Sequence, residues 1–239
     1  MISIVIITLN EEEYLPQLLE SIEKQTYDDY EVIVADAGSE DRTREIAREH
    51  GCKVVEGGLP AEGRNKGAEA ARGELLVFVD ADFLLPSDYL EKSIQEFKQR
   101  DLGVADTLYK FYDASWFVNF IFHLLVNWPA KLLQRFTPTS LTAIFVRKEV
   151  FEEVSGFDES VEFAEDSLFI EETAEISKFR FLNSVKTLIS ARRFKQEGYA
   201  KVLLKYLFSN IYMWLTGRPV KSDTFDYKFD EYEKNQKKE

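Results

Sequence analysis

The sequence has one cysteine, Cys52, and two histidines, His50 and His123. A lone thiol cannot form an intramolecular disulfide, which excludes the cystine framework of a small secreted domain. The two imidazoles are too far apart in the chain to suggest a paired metal site, and both are expected at or near the surface. Long apolar runs are missing as well: none approaches the about 20 residues that a helix needs to cross a bilayer. Acidic groups appear within Met1 to Glu13, too early for a signal peptide. These absences predict a cytoplasmic chain without an integral span, and leave peripheral membrane contact open. Positive charge is also in deficit. With 30 Lys and Arg against 43 Asp and Glu, the net charge is −13, which repels a polyanion and predicts no nucleic-acid partner. Internal repeats and low-complexity linkers are lacking too.

What is present is enough for a sizeable core: 239 residues, 45% of them hydrophobic and 14% aromatic. Ile2 to Thr8 is almost continuously apolar and β-branched, as in a strand covered on both faces. Tyr14, Leu15, Leu18, Leu19 and Ile22 then recur at helical spacing, and a second buried run, Val32 to Ala35, stops at Asp36 and Gly38. Helices over Asp41–His50, Ala61–Ala71 and Ser87–Arg100 alternate with strands over Lys53–Val55 and Leu75–Val79. This alternation predicts an α/β fold with a doubly wound sheet, whose ligand crevice lies at the carboxyl ends of the strands. Farther on, Trp116 to Trp128 is rich in aromatics and keeps neither a two- nor a 3.6-residue period. Strand-like runs follow at Leu141–Val146 and Val185–Ser190, and an amphipathic helix is expected over Tyr199–Leu215. The expected organisation is a nucleotide-binding half (1–105), an acceptor-side half of the same domain (106–195), and a helix with a charged tail (196–239).

Asp80-Ala81-Asp82 directly follows the buried run LLVFV. Two carboxylates at a sheet edge are unfavourable unless a cation or donor neutralises them. A divalent Mg or Mn ion shared with diphosphate oxygens would do so, since hard cations prefer oxygen ligands. Taken alone, the same triplet suits a turn before the next helix. Other strand ends carry polar groups as well: Thr8 with Asn10 and Glu11, Asp36 with Ser39, and Arg64 with Asn65. Taken singly, Asn10 could cap one helix, Ser39 and Asp41 the next, and Arg64 could be a solvated first-turn residue, but all four at the same sheet edge indicate one site.

The stretches ISIVIITLNEEEYLPQLLESI, YEVIVADAGSEDRT and GRNKGAEAARGELLVFVDAD resemble the family-2 inverting glycosyltransferases of GT-A fold. A looser match is FVRKEVFEEVSGFDE, followed by Glu165-Asp166. The resemblance covers roughly Ile2 to Asp166. It implies a mixed GT-A sheet and a nucleotide-diphosphate sugar as donor. Thr8, Asn10 and Glu11 would line the nucleotide pocket, Asp36 would accept a hydrogen bond from the base, and Arg64 would lie against nucleotide or diphosphate. Asp80 would hold the ribose or a metal-bound water, and Asp82 would ligate the metal. The family often has two acids at the end of the second strand, where this chain has Asp36-Ala37, so base recognition falls to Asp36. Asp166 would be the general base; acids at 165 and 166 also suit the positive end of a helix starting there. The Gln-x-x-Arg-Trp signature often kept by the family is reduced here to ARRF. Its arginines, Arg192 and Arg193, are candidates to balance the leaving diphosphate, with Arg193 taken as the catalytic one.

Polyprenyl-phosphate sugar synthases are similar in the same motifs, but their acceptor phosphate needs no base and an amide side chain commonly follows their Asp-x-Asp. Phe83, Leu84 and Leu85 follow here, so a hydroxyl acceptor is expected, on a lipid-linked glycan or glycolipid, with the lipid phosphate as the alternative. Two surfaces bear on this. From Arg192 to Lys221 seven basic residues face Glu197 alone, and Ala114 to Lys148 is free of acids and rich in aromatics. Membrane contact, core packing and a homodimer interface all fit such stretches. A nucleotidyltransferase would place a Gly-rich basic loop where this chain has LNEEEYL, and a non-catalytic nucleotide binder would not need Asp166.

Overall fold

The computed structural model describes residues 1–161, 164–205 and 208. Among these, β1 (Ile2–Thr8), β2 (Tyr30–Asp36), β3 (Lys53–Glu56), β4 (Leu75–Asp80), β5 (Phe83–Leu84), β6 (Val104–Phe111), β7 (Ile144–Arg147) and β8 (Phe179–Ile189) form one sheet. Its order is β3-β2-β1-β4-β7-β6-β8-β5. The first four strands run parallel, with Thr8 beside Asp36 and Ile7 beside Asp80 at their carboxyl ends. The sheet then becomes mixed: β7 runs antiparallel to both β4 and β6, and β6 and β8 are parallel. The expected boundary after residue 105 therefore falls inside β6, and a single sheet carries both halves. The expected strand over Leu141–Val146 is shorter, because the backbone N–H groups of Leu141 and Thr142 donate to the Asp106 carboxylate at 2.8 and 3.1 Å instead of to a ladder.

Helices α1 (Leu15–Glu23), α2 (Thr43–Glu49), α3 (Pro60–Glu69) and α4 (Tyr89–Gln99) fill the crossovers. Helix α1 buries Leu15, Leu18, Leu19 and Ile22, one stripe of a 3.6-residue period. Helix α3 has little apolar bulk and seats itself by close approach instead. A Cβ at Gly67 would lie 2.3 Å from Val5 Cγ1, so the helix backbone rests directly on β1. That seating brings Arg64 to the sheet edge.

The aperiodic aromatic stretch forms α5 (Trp116–Phe122), a π-helical turn (His123–Asn127) and α6 (Trp128–Leu133). Trp116, Phe120, Leu124, Trp128, Leu132 and Phe136 recur every fourth position and are all exposed. Steps of four overrun an α-helical turn, and the wider i→i+5 turn in the middle brings the row back. This is why the stretch escapes a 3.6-residue reading. On its inner side, Asn119 pairs with the backbone N–H and C=O of Phe111, and Asn127 does the same for Tyr109. Helices α7 (Lys148–Glu153), α8 (Glu165–Ile176) and α9 (Arg192–Glu197) complete the set, and residues 199–205 are helical. The rest of the amphipathic helix expected to Leu215 lies outside the described residues. No helix among the described residues is long and apolar enough to cross a membrane.

Candidate active site

The loops that follow β1 and β2 are laced together. Asn10 takes a left-handed backbone (φ 53°), its N–H donates to Ser39 Oγ at 2.8 Å, and its Oδ1 accepts from the Glu40 N–H at 2.8 Å. The Glu11 N–H donates to Thr43 Oγ1, also at 2.8 Å. Asp36 sits beneath, fully buried, and both its oxygens are engaged. Thr8 Oγ1 and Ser39 Oγ donate to Oδ2 at 2.9 and 2.5 Å, and the N–H groups of Gly38 and Ser39 donate to Oδ1. Asp36, expected to accept a hydrogen bond from the base, is here engaged by the loop around it. Four donors tie its carboxylate to the loop, and the buried Thr8 supplies one of them. Asn10 and Glu11 are the members of this group that stay partly exposed.

Two arginines partition the acids of the cleft. Arg64 is buried, with Nη1 2.5 Å from Glu165 Oε1, Nη2 3.2 Å from Asp80 Oδ1, and its guanidinium carbon 5.5 Å from the centre of the Phe157 ring. It thus ties the Asp-x-Asp to the first turn of α8. Glu165 is consumed by this ion pair. The adjacent Asp166 accepts from its own neighbour, the Ser167 N–H, at 2.7 Å, and remains close enough to Asp80 and Arg64 to act on both electrostatically. Arg192 forms a bidentate pair with Glu11 at 2.7 and 3.0 Å, places Nε 3.3 Å from Asp82 Oδ2, and stacks 4.1 Å from the Tyr14 ring centre. Burial, opposed by Arg192 and reinforced by Asp80 and Glu11, pushes the Asp82 carboxyl up to about 7. Burial raises Glu11 as well.

Arg193 is placed differently from expectation: its Nε donates to Glu197 along α9 at 3.1 Å, while Arg192 reaches the cleft. Adjacent residues on a helix project about 100° apart, so only one of the two can face Asp82. Sequence reasoning also missed Tyr14 and Asp106. Arg192 and Glu11 are 181 positions apart, and no local pattern links them or marks Tyr14 as their aromatic floor. Asp106 is a buried acid whose carboxylate accepts from Ser140 Oγ and from the N–H groups of Leu141 and Thr142. Ser140 N–H and Thr139 in turn contact Ser167 Oγ, so this network ends beside Asp166. The only hint of it in the sequence is an acid within an apolar strand.

No group of three or more His, Cys, Asp or Glu among the described residues could enclose a metal ion. The donor set instead fits a hard cation held from one side. Asp82 and Asp80 offer carboxylate oxygens, Asp82 is crowded enough to welcome positive charge, and diphosphate oxygens could complete the shell.

Residues 3–152 match the family model described as glycosyl transferase family 2. The chain belongs to this family. EpsJ of Bacillus subtilis (strain 168), an uncharacterized glycosyltransferase, is 30% identical over 209 residues, which cover 79% of this chain and 58% of EpsJ. The chain spans less than two thirds of the curated relatives it matches first. Among solved structures, Staphylococcus aureus TarS 1–349 in complex with UDP-GlcNAc superposes with a TM-score of 0.66 at 24% identity, covering 80% of this chain and 58% of that one. The mannosyltransferase PcManGT from Pyrobaculum calidifontis, in complex with GDP-Man and Mn2+, gives 0.69 at 21%, covering 84% and 59%. At these identities the two structures establish a shared GT-A fold, and both of those proteins hold a nucleotide sugar in it.

Proposed function

We propose that this family-2 member transfers a sugar, with inversion, from a nucleotide-diphosphate sugar to the hydroxyl of a lipid-linked glycan or glycolipid. One observation carries the reading: Asp80, Asp82, Glu11, Arg64 and Arg192 gather at the carboxyl edge of β1 and β4, with Asp166 close enough to act on Asp80 and Arg64. Asn10 and Glu11 would contact the nucleotide, and Asp82, with Asp80, would hold Mg or Mn. The bound ion would add positive charge where the diphosphate departs. Asp166 takes the proton of the acceptor hydroxyl. The freed oxygen bonds to the anomeric carbon on the face opposite the diphosphate, and the old C–O bond breaks with its electron pair leaving on the diphosphate. Arg64 and Arg192 are held protonated by their carboxylate partners and face that developing anion with fixed positive charge. A direct displacement of this kind inverts the anomeric centre.

The alternative acceptor, a lipid phosphate, would leave Asp166 without a task. The donor site is tested by calorimetric titration of UDP and GDP with and without Mn2+. We expect tight binding of one of them only with the metal, and loss of the metal enhancement in Asp82→Ala. Equal binding with metal and with chelator would refute it.

A further inference from the structure

Nine of the large apolar side chains that stand exposed fall between Trp116 and Phe136, within α5, the π turn, α6 and the turn that follows. Trp116 and Phe136 are 79% and 81% exposed. A patch of this density on a soluble surface marks a contact with something apolar. It is also presented rigidly. The paired amides of Asn119 and Asn127 clamp the opposite side of the segment to β6, and Phe122 packs between Phe111 and Phe194 at 5.0 and 5.2 Å between ring centres.

The charge around the patch selects the partner. Residues 114–148 contain no Asp or Glu, so all 43 acids of this acidic chain lie elsewhere. The cations there cluster with one another: Lys131 and the β8 residue Lys186 both act on His123, and Arg135 acts on Arg180 at the start of β8. Gln134 joins these two elements, its Oε1 accepting from the Phe181 N–H at 2.8 Å. Like charges gathered beside an aromatic row, with no acid in the segment, complement an anionic surface that has an apolar interior.

We infer that the exposed row from Trp116 to Phe136, with its flanking cations, docks the protein onto the interface of an anionic lipid bilayer. Tryptophan and phenylalanine enter the headgroup boundary, and Lys131 and Arg135 meet lipid phosphates. Phe194 links this platform to α9, whose first residue is Arg192 of the cleft. Docking therefore puts the donor site beside the membrane. Its purpose rests on the lipid-borne acceptor proposed above, but the contact itself is read without donor or acceptor, so each can fail without the other.

The experiment is co-sedimentation of the full chain with vesicles of phosphatidylcholine alone or mixed with phosphatidylglycerol. Wild type should pellet with the mixed vesicles and be released by salt. Lys131→Glu with Arg135→Glu should lower partitioning roughly tenfold or more, since each cation near the surface contributes about fivefold. The triple variant Trp116→Ser, Phe120→Ser, Trp128→Ser should stay in the supernatant while keeping wild-type nucleoside-diphosphate affinity and far-UV circular dichroism. Wild type in the supernatant with the mixed vesicles, or a triple variant that pellets like wild type, would overturn the inference. A concentration-dependent dimer lost in the triple variant, with no vesicle binding by wild type, would also overturn it and assign the face to a second copy.

Discussion

Neighbouring acids in this cleft do different work because of what each one touches. Glu165 is buried and closes an ion pair with Arg64, while Asp166 is only partly buried and accepts from the Ser167 N–H. Glu165→Gln should lower the unfolding free energy by about 3 kcal/mol in denaturant titration, the scale on which losing one partner of a buried pair is felt. A change below ~0.5 kcal/mol would mean the pair is solvated. The two arginines of ARRF are expected to separate in the same way. Arg192→Gln removes the cation between Glu11 and Asp82 and should cut turnover by about 10²-fold, the usual effect of removing one donor to a developing anion. Arg193→Gln should change it by no more than a few fold. Equal losses in the two variants would return Arg193 to the cleft. The sequence could not decide between them, because their difference is set by which side of α9 faces a carboxylate from the other end of the chain. Asp36 poses a related difficulty: a strand-end acid aimed at a ligand looks the same in sequence as one that binds its own loop.

At the scale of elements, β6 and the 139–142 segment are joined through Asp106. Burial, stronger than its hydrogen bonds from Leu141, Ser140 and Thr107, pushes its carboxyl from 3.8 up to about 7. A raised acid in the folded state means that the unfolded chain loses its proton first. Stability from this group is then present at low pH and declines as pH rises from about 4 to about 7, by up to ~1.4 kcal/mol per pH unit, and is flat above that. The difference in unfolding free energy between wild type and Asp106→Asn should therefore change across this window and stay constant beyond it. Parallel pH profiles throughout would contradict the assignment. The alternation that forms β1 to β4 and α1 to α4 was legible, since each of those elements buries a face through local periodicity. The α5–α6 segment was not, because its row follows a spacing of four that needs a π turn to stay aligned. The extent of β7 was likewise set by a distant carboxylate rather than by its own residues.

Across the whole molecule, negative charge and apolar exposure are segregated. The acids collect outside residues 114–148, Arg64 and Arg192 each pair with acids of the cleft, and the aromatic platform is free of acids. That Thr8, Asp36 and Asp80 share one edge was readable because consecutive strand ends of a parallel sheet necessarily meet there. The placement of Glu165 and Asp166 depends on α8, whose approach to that edge no local motif specifies. The central claim is that donor binding and proton removal are performed by different residues of one cleft, and its sharpest test is single-turnover cleavage of the donor identified by titration, with water as the acceptor hydroxyl. Asp166→Asn should slow it by about 10²-fold or more, with donor Kd unchanged within twofold. Near-normal cleavage, or a loss that comes entirely from weaker donor binding, would contradict the account.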